Sequence, residues 1–317
     1  MRTIDESMSL TARIAQNTLV QIVGKIIAVF FGILAISMLT RYLGQSGFGA
    51  YTTAVAFVGF FGTLADLGLY IVTVKRISEH GADVDRVFSN IFTLRIVSAL
   101  VFVVAAPLVV LLFPYPHAVK LGVLLLSASN LFITMIQLLT GVFQRALAMA
   151  RASIAEVAGK LVFLGFIILF IAHRQPLSSL LIAVVAGSFF QFLILLALVR
   201  RFVHIHLAFD WPIWRGILYE SWPVALSIAL NLIYFRADTI ILSLFHSQAA
   251  VGLYGASYKV LEVLVAFPAM FAGLIVPIIS LHASRGEHDQ FQSALQKGFD
   301  FMVTVSFPII AGVFVLA

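Results

Sequence analysis

Residues 41–78 read RYLGQSGFGAYTTAVAFVGFFGTLADLGLYIVTVKRIS, and the order of residue types in this stretch decides the fold. A short polar turn at 41–46 leads into a run over 47–74 whose only charge is Asp66, and the basic pair Lys75 and Arg76 closes it. A helix crossing a bilayer needs about 20 predominantly apolar residues at ~1.5 Å rise each. The run is long enough to cross, and it has no polar face to turn toward water.

Working outward, the same pattern recurs along the chain. Nine segments qualify or nearly qualify as spans: 17–40, 47–74, 91–113, 119–144, 154–172, 178–199, 222–246, 250–282 and 299–317. Of the 317 residues 62% are hydrophobic and 11% charged, against about half and a quarter in soluble domains. The fold class expected is therefore an all-α integral membrane protein. Lysine and arginine exceed aspartate and glutamate by 20 to 14, but the excess is scattered through short connectors, which excludes a nucleic-acid-binding domain. No cysteine is present, so disulfides, thiolate metal sites and thiol nucleophiles are excluded. The absence of GxxxxGK[ST] argues against direct ATP hydrolysis, and no cofactor or metal is expected.

The connectors differ by charge. Those after odd-numbered spans carry Arg41, Lys120 and Arg174; those after even-numbered spans, with Arg2, Arg13 and Arg95 added, carry thirteen basic residues. The positive-inside rule places the N-terminus in the cytoplasm. Residues 1–16 read as a cytoplasmic amphipathic lead-in and 17–199 as a six-helix bundle. Residues 200–221 read as a cytoplasmic interfacial connector, and 222–317 as an incomplete second bundle of about three spans. In the connector, Asp210 is placed to cap a helix carrying Trp211, Trp214, Ile217 and Leu218 on one side, as an interfacial helix would. SGFGAY at 46–51 is echoed by AAVGLY at 249–254, which supports two halves of the same orientation. The chain is apolar to Ala317, so it is expected to stop within a span.

With these elements placed, residues 41–78, including ADLGL before the basic pair, resemble the polysaccharide-transporter branch of the multidrug/oligosaccharidyl-lipid/polysaccharide (MOP) exporter superfamily, the Wzx-type flippases. FRADTIILSLFHSQAAVGLYGASYKVLEVLVAFPAMFAGLIVPIIS at 235–280 resembles that family's spans 7 and 8. The resemblance implies a MATE-like two-bundle transporter of twelve to fourteen spans, of which about nine are present here, so that the chain is C-terminally truncated. It implies a flippase that carries polyprenyl-pyrophosphate-linked oligosaccharide to the outer leaflet of the inner (plasma) membrane by alternating access, in surface polysaccharide biosynthesis. The implied partners are the lipid-linked oligosaccharide, membrane lipids, a polysaccharide polymerase and glycosyltransferases, with a proton or sodium ion as candidate coupling ion. A cation-coupled MATE-type exporter is the alternative.

Ionisable residues inside spans are costly and tend to face a cavity or a partner. Lys25, Lys160, Arg236 and Lys259 are the basic ones, and Asp66, Asp238 and Glu262 the acidic ones. Counting from the cytoplasmic ends puts Lys25 and Asp66 at similar depth on antiparallel neighbours, where an ion pair is possible. Lys259 and Glu262, at i and i+3, share a face and can pair. Arg236 and Asp238, at i and i+2, diverge. Candidate substrate-binding residues are Lys25, Arg236 and Lys259, whose cations suit a pyrophosphate, with Asn231 and Tyr234 for sugar hydroxyls. Asp66, Asp238 and Glu262 are the coupling or ion-pair candidates. The plain alternative is that these residues pair within the bundle and fix helix rotation. An enzyme would need a catalytic constellation; His204, His206 and Asp210 supply the best one, but two-residue spacing spreads the histidines around a helix.

Overall fold

The computed structural model describes residues 10–66, 68–79, 83–146, 148–284 and 287–316, and among them every regular element is a helix. In chain order these are α1 (Leu10–Asp66), α2 (Leu69–Ser78), α3 (Val84–Val110), α4 (His117–Arg145), α5 (Met149–Ala172), α6 (Leu177–Val199), α7 (Trp211–Phe245), α8 (Gln248–Ser284) and α9 (His288–Leu316). Five helical runs among the described residues are long and apolar enough to cross a membrane: Leu19–Ser78, Val84–Val110, His117–Arg145, Met149–Ala172 and Leu177–Val199. The chain forms two compact units, Met1–Gly255 and Ala256–Ala317.

The first run cannot be one passage, since 60 residues would extend ~90 Å as a straight helix, about three bilayer cores. Gly44, at φ 64° and ψ −175°, breaks it into two arms, a conformation that a residue without a Cβ adopts most readily. Contacts then fix the arms' directions. Along the first arm, Gly24 packs on Ser153 and Tyr42 donates to the Gln175 carbonyl at 2.9 Å, so this arm climbs with α5. Along the second, Gly62 packs on Asn130 and Tyr70, just beyond the arm, donates to Gln144 at 2.8 Å, so the second arm descends with α4. Helices α4 and α5, joined by residues 146–148, run opposite ways, and so do the two arms. The expected spans at 17–40 and 47–74 are thus a hairpin of helices with its turn at Gly44. The second does not run straight to residue 74: Gly68, at φ 69°, breaks it after Asp66 and starts α2.

One end of the first unit gathers the charge-poor connectors. There Tyr115 and Ser243 hydroxyls meet at 2.7 Å, and Thr53 donates to Gln248 Oε1 at 3.0 Å. Burial pushes the Tyr115 phenol above its ordinary value of 10.0, while the Ser243 bond acts the other way. At the same end the two echoed segments cross backbone to backbone. A Cβ on Gly49 would overlap the Gln248 carbonyl oxygen, one on Gly252 the Gln45 carbonyl oxygen, and each would lie 3.0 Å from the other glycine's nitrogen.

The opposite end gathers the basic connectors. Arg76 bonds Glu220 at 2.6 Å, Arg86 bonds Asp210 at 2.5 Å, and Arg151 lies 4.9 Å from the centre of the Phe202 ring. Here the expected interfacial helix within 200–221 is replaced by a different arrangement. Residues 203–210 run without helix along the first turns of α3, and α7 starts at Trp211 and continues through Pro223 to Phe245. Polar side chains of α3 satisfy that strap: His204 and Ala208 donate their amides to Asp85 Oδ1 and Thr93 Oγ1 at 3.0 and 2.9 Å, and Asp210 donates to Asn90 Oδ1 at 2.8 Å. Asp210 precedes α7 but its side chain makes no cap bond; it is engaged by Arg86. Trp214 and Ile217 are buried in the core with Phe88, Ile91 and Leu139, while Trp211 is exposed. Trp214, Ile217 and Leu218 of that face therefore pack on protein, and Trp211 does not.

The second unit holds most of α8 and α9. Phe271 stacks on Phe301 at 4.8 Å and Gly298 packs on Ile275, so the two helices run antiparallel. Of the expected lead-in, residues 1–9 lie outside the described residues, and the remainder opens α1.

Candidate functional site

The ionisable residues expected inside spans sort into three groups by what they touch. The first is a sealed cluster. Arg95, with 0% of its side chain exposed, donates through Nη1 to the Asp66 carboxylate and, at 2.7 Å, to the Asp66 carbonyl. Its Nη2 reaches Gln137 Oε1 at 3.0 Å. The site lies where α1 ends, and Ser98 donates to the neighbouring Ala65 carbonyl at 3.0 Å. A cation at a helix C-terminus meets the negative end of its dipole and the carbonyls the break leaves free. Two expectations are corrected here. Arg95 belongs to the bundle interior rather than to a basic connector, because α3 begins at Val84, about two turns before the span expected at 91–113, which places Arg95 well inside the helix. Asp66 pairs with Arg95 and not with Lys25.

Lys25 forms the second group. Its Nζ lies 2.7 Å from Glu156 Oε1, with side-chain exposures of 45% and 26%. Lys25 and Asp66 stand at similar depth along their helices, but depth does not set rotation. The packing of Gly24 on Ser153 turns the first arm toward α5, so the lysine meets the carboxylate three residues beyond that serine. Glu156 was missed in the sequence, although its i, i+4 relation to Lys160 was a readable sign that it sits on a charged helix face.

The third group divides between the two units. In the first, Asp238 accepts from the Thr239 amide at 2.6 Å and from the Tyr254 hydroxyl. Asn231 is exposed, whereas the side chains of Arg236 and Tyr234 on α7 lie outside the described residues. In the second unit, Lys259 bonds Glu262 at 2.6 Å, as the i, i+3 spacing led one to expect. His204 and His206 are held apart, the first on Asp85 and the second on Ser89, both at 3.1 Å.

Chemically the first two groups differ. A lone charge at mid-bilayer depth costs ~2.5–3.5 kcal/mol by insertion measurements; the buried Arg95–Asp66 pair relieves such a cost, whereas the Lys25–Glu156 pair, partly exposed at both heads, relieves a smaller one. Arg95 is closed off by three acceptors, whereas Lys25 and Glu156 can both be reached from outside the bundle.

The comparisons with known proteins agree with this architecture. Residues 14–282 match the family model described as "Polysaccharide biosynthesis protein". Among curated proteins, the chain is 21% identical over 311 residues to the "Probable low-salt glycan biosynthesis flippase Agl15" of Haloferax volcanii. That match covers 96% of this chain and 63% of the relative's length. Among solved structures, an inward-facing multidrug-resistance MATE transporter of the MOP superfamily superposes with a TM-score of 0.66 at 16% identity, over 93% of this chain and 72% of that one. The MATE multidrug transporter DinF-BH gives 0.65 at 14%, over 96% and 72%. A MOP superfamily transporter from Pyrococcus furiosus gives 0.58 at 14%, also over 96% and 72%. The fold is thus MATE-like, and the chain is a multi-pass membrane protein.

Proposed function

This chain belongs to the polysaccharide biosynthesis protein family, and we propose that it works as a flippase carrying a polyprenyl-pyrophosphate-linked oligosaccharide from the cytoplasmic to the outer leaflet of the plasma membrane. The family match over residues 14–282 carries the reading. It is supported by the 21% identity to a glycan biosynthesis flippase, although the chain spans only 63% of that relative. The MATE-like fold supports transport by alternating access rather than catalysis.

The chain's own residues fit an anionic cargo. Lys25 offers an ammonium within the span that ligands can reach, 2.7 Å from a single carboxylate. Arg236 stands on α7 as a second candidate for the pyrophosphate, and Lys259 as a third; Asn231 and Tyr234 are candidates for sugar hydroxyls. Asp238 and Glu262 are candidates for ion coupling to a proton or sodium gradient. Asp66, held by Arg95, serves as an ion-pair residue. The polyprenyl chain stays in lipid while the headgroup is carried. The charge-rich end faces the cytoplasm, where a polymerase-linked glycosyltransferase system would load substrate.

The test is genetic. Expression of the full-length protein in a host lacking its own glycan flippase should restore surface glycan, and Lys25→Ala should reduce the restored amount while the protein remains in the membrane. Failure of the unaltered protein to restore glycan, together with export of cationic dyes down an ion gradient, would replace this reading by the exporter.

A further inference from the structure

Most of the other ionic contacts described in the first unit tie connectors together at its charge-rich end: Lys75 and Arg76 with Glu220, Arg86 with Asp210, and His204 with Asp85. The Arg95–Asp66 pair lies deeper and is closed to any ligand. The contact of Lys25 with Glu156 is different, lying about two turns inside α5 and accessible at both heads. We infer that Glu156, whose carboxylate lies 2.7 Å from the Lys25 ammonium, is a placeholder for the substrate's phosphate: it holds the lysine while no substrate is bound and yields it to the pyrophosphate. The inference rests on the reading of the chain as a flippase of a pyrophosphate-linked lipid.

Three observations carry it. A carrier that alternates must return empty, and an ammonium left alone inside the span is disfavoured. Glu156 removes the penalty from the return step without occupying the site permanently, because exposures of 45% and 26% leave room for an incoming anion. The backbone beneath the pair is also fixed. Gly24 sits directly on the Ser153 side chain, so exchange needs only the flexible lysine to swing, not the helices to part. Finally, Lys160 stands one turn beyond Glu156 on the same face of α5. The i, i+4 spacing puts Lys160 within reach of Glu156 when Lys25 turns away. A pyrophosphate, with more charge and more acceptor oxygens than one carboxylate, is the stronger partner for the ammonium.

The experiment uses the full-length protein in vesicles and a fluorescent polyprenyl pyrophosphate as probe, with a fluorescent phosphatidylcholine as control. If the unaltered protein moves neither lipid, or both equally, the flippase reading itself fails. If it moves the pyrophosphate selectively, Glu156→Gln should lower the apparent KM roughly two- to fivefold, the strength of a partly exposed pair. It should also lower the maximal rate, since the empty return now carries an unpaired ammonium. An unchanged or raised KM would overturn the placeholder alone. The charge-reversed double variant, Lys25→Glu with Glu156→Lys, should melt like the unaltered protein in detergent yet transport poorly. Recovery of both melting and transport would reduce the contact to a structural bridge and overturn the inference.

Discussion

Removing either partner of the Arg95–Asp66 pair should destabilise the first unit in a non-additive way, and the structure sets the size of the effect. Arg95 is fully buried and Asp66 is 13% exposed, so neither charge is screened by solvent. Arg95 makes two hydrogen bonds to Asp66 and one to Gln137. Interhelical hydrogen bonds in membrane proteins average ~0.6 kcal/mol each, so together these account for about 2 kcal/mol. An uncompensated buried charge costs more, ~3–5 kcal/mol. Asp66→Asn keeps an acceptor near the guanidinium but leaves a cation that cannot discharge, for a loss of about 3 kcal/mol. Arg95→Met loses all the bonds and leaves a carboxylate that can take up a proton, for a similar loss. In the double variant neither charge remains, and the loss should fall to about 2 kcal/mol, well below the sum of the singles. Reversible unfolding in mixed micelles, followed by helical circular dichroism, reads these values. Strict additivity of the two singles would refute the buried pair.

Gly49→Ala should disturb the opposite end of the unit. The new methyl would overlap the Gln248 carbonyl, so the crossing of the echoed segments must open by roughly 1–2 Å to restore contact distance; a cysteine at Ala250 should then react faster with a membrane-impermeant maleimide, and unchanged labelling would count against the crossing. Glu220→Gln should cost no more than about 1 kcal/mol, because its partners Lys75 and Arg76 are 62% and 31% exposed; a collapsed melting transition would show that this bridge was undervalued. Tags after Gly81 or within 200–210 should be reached only from the cytoplasm and one at Tyr115 only from outside, and reversed labelling would overturn the orientation.

Hydropathy made the helices legible because lipid forces every backbone polar group into internal hydrogen bonds, leaving length and apolarity to mark the spans. It misplaced the start of α3, since Asp85, Ser89 and Asn90 look like a connector until the strap at 203–210 is seen to use them. Arg95 was counted with the connectors for the same reason. Depth along a helix could be counted from the sequence, which put Lys25 and Asp66 level. Rotation could not, because it depends on which small residue packs on which neighbour, here Gly24 on Ser153. The Lys259–Glu262 pair was legible because both partners lie on one helix at a fixed spacing. The apolar face bearing Trp214 and Ile217 was legible, but its packing on Phe88, Ile91 and Leu139 was not, as periodicity marks a face but not what covers it.

The measurement that bears most directly on the flippase reading is leaflet exchange of a lipid-linked oligosaccharide by the purified full-length protein in sealed vesicles, scored by access of a lectin to the glycan. A flippase makes glycan loaded in one leaflet lectin-accessible in the other far faster than in protein-free vesicles, and Lys25→Ala slows the exchange. Exchange no faster than in protein-free vesicles, from protein that melts cooperatively, would contradict that reading.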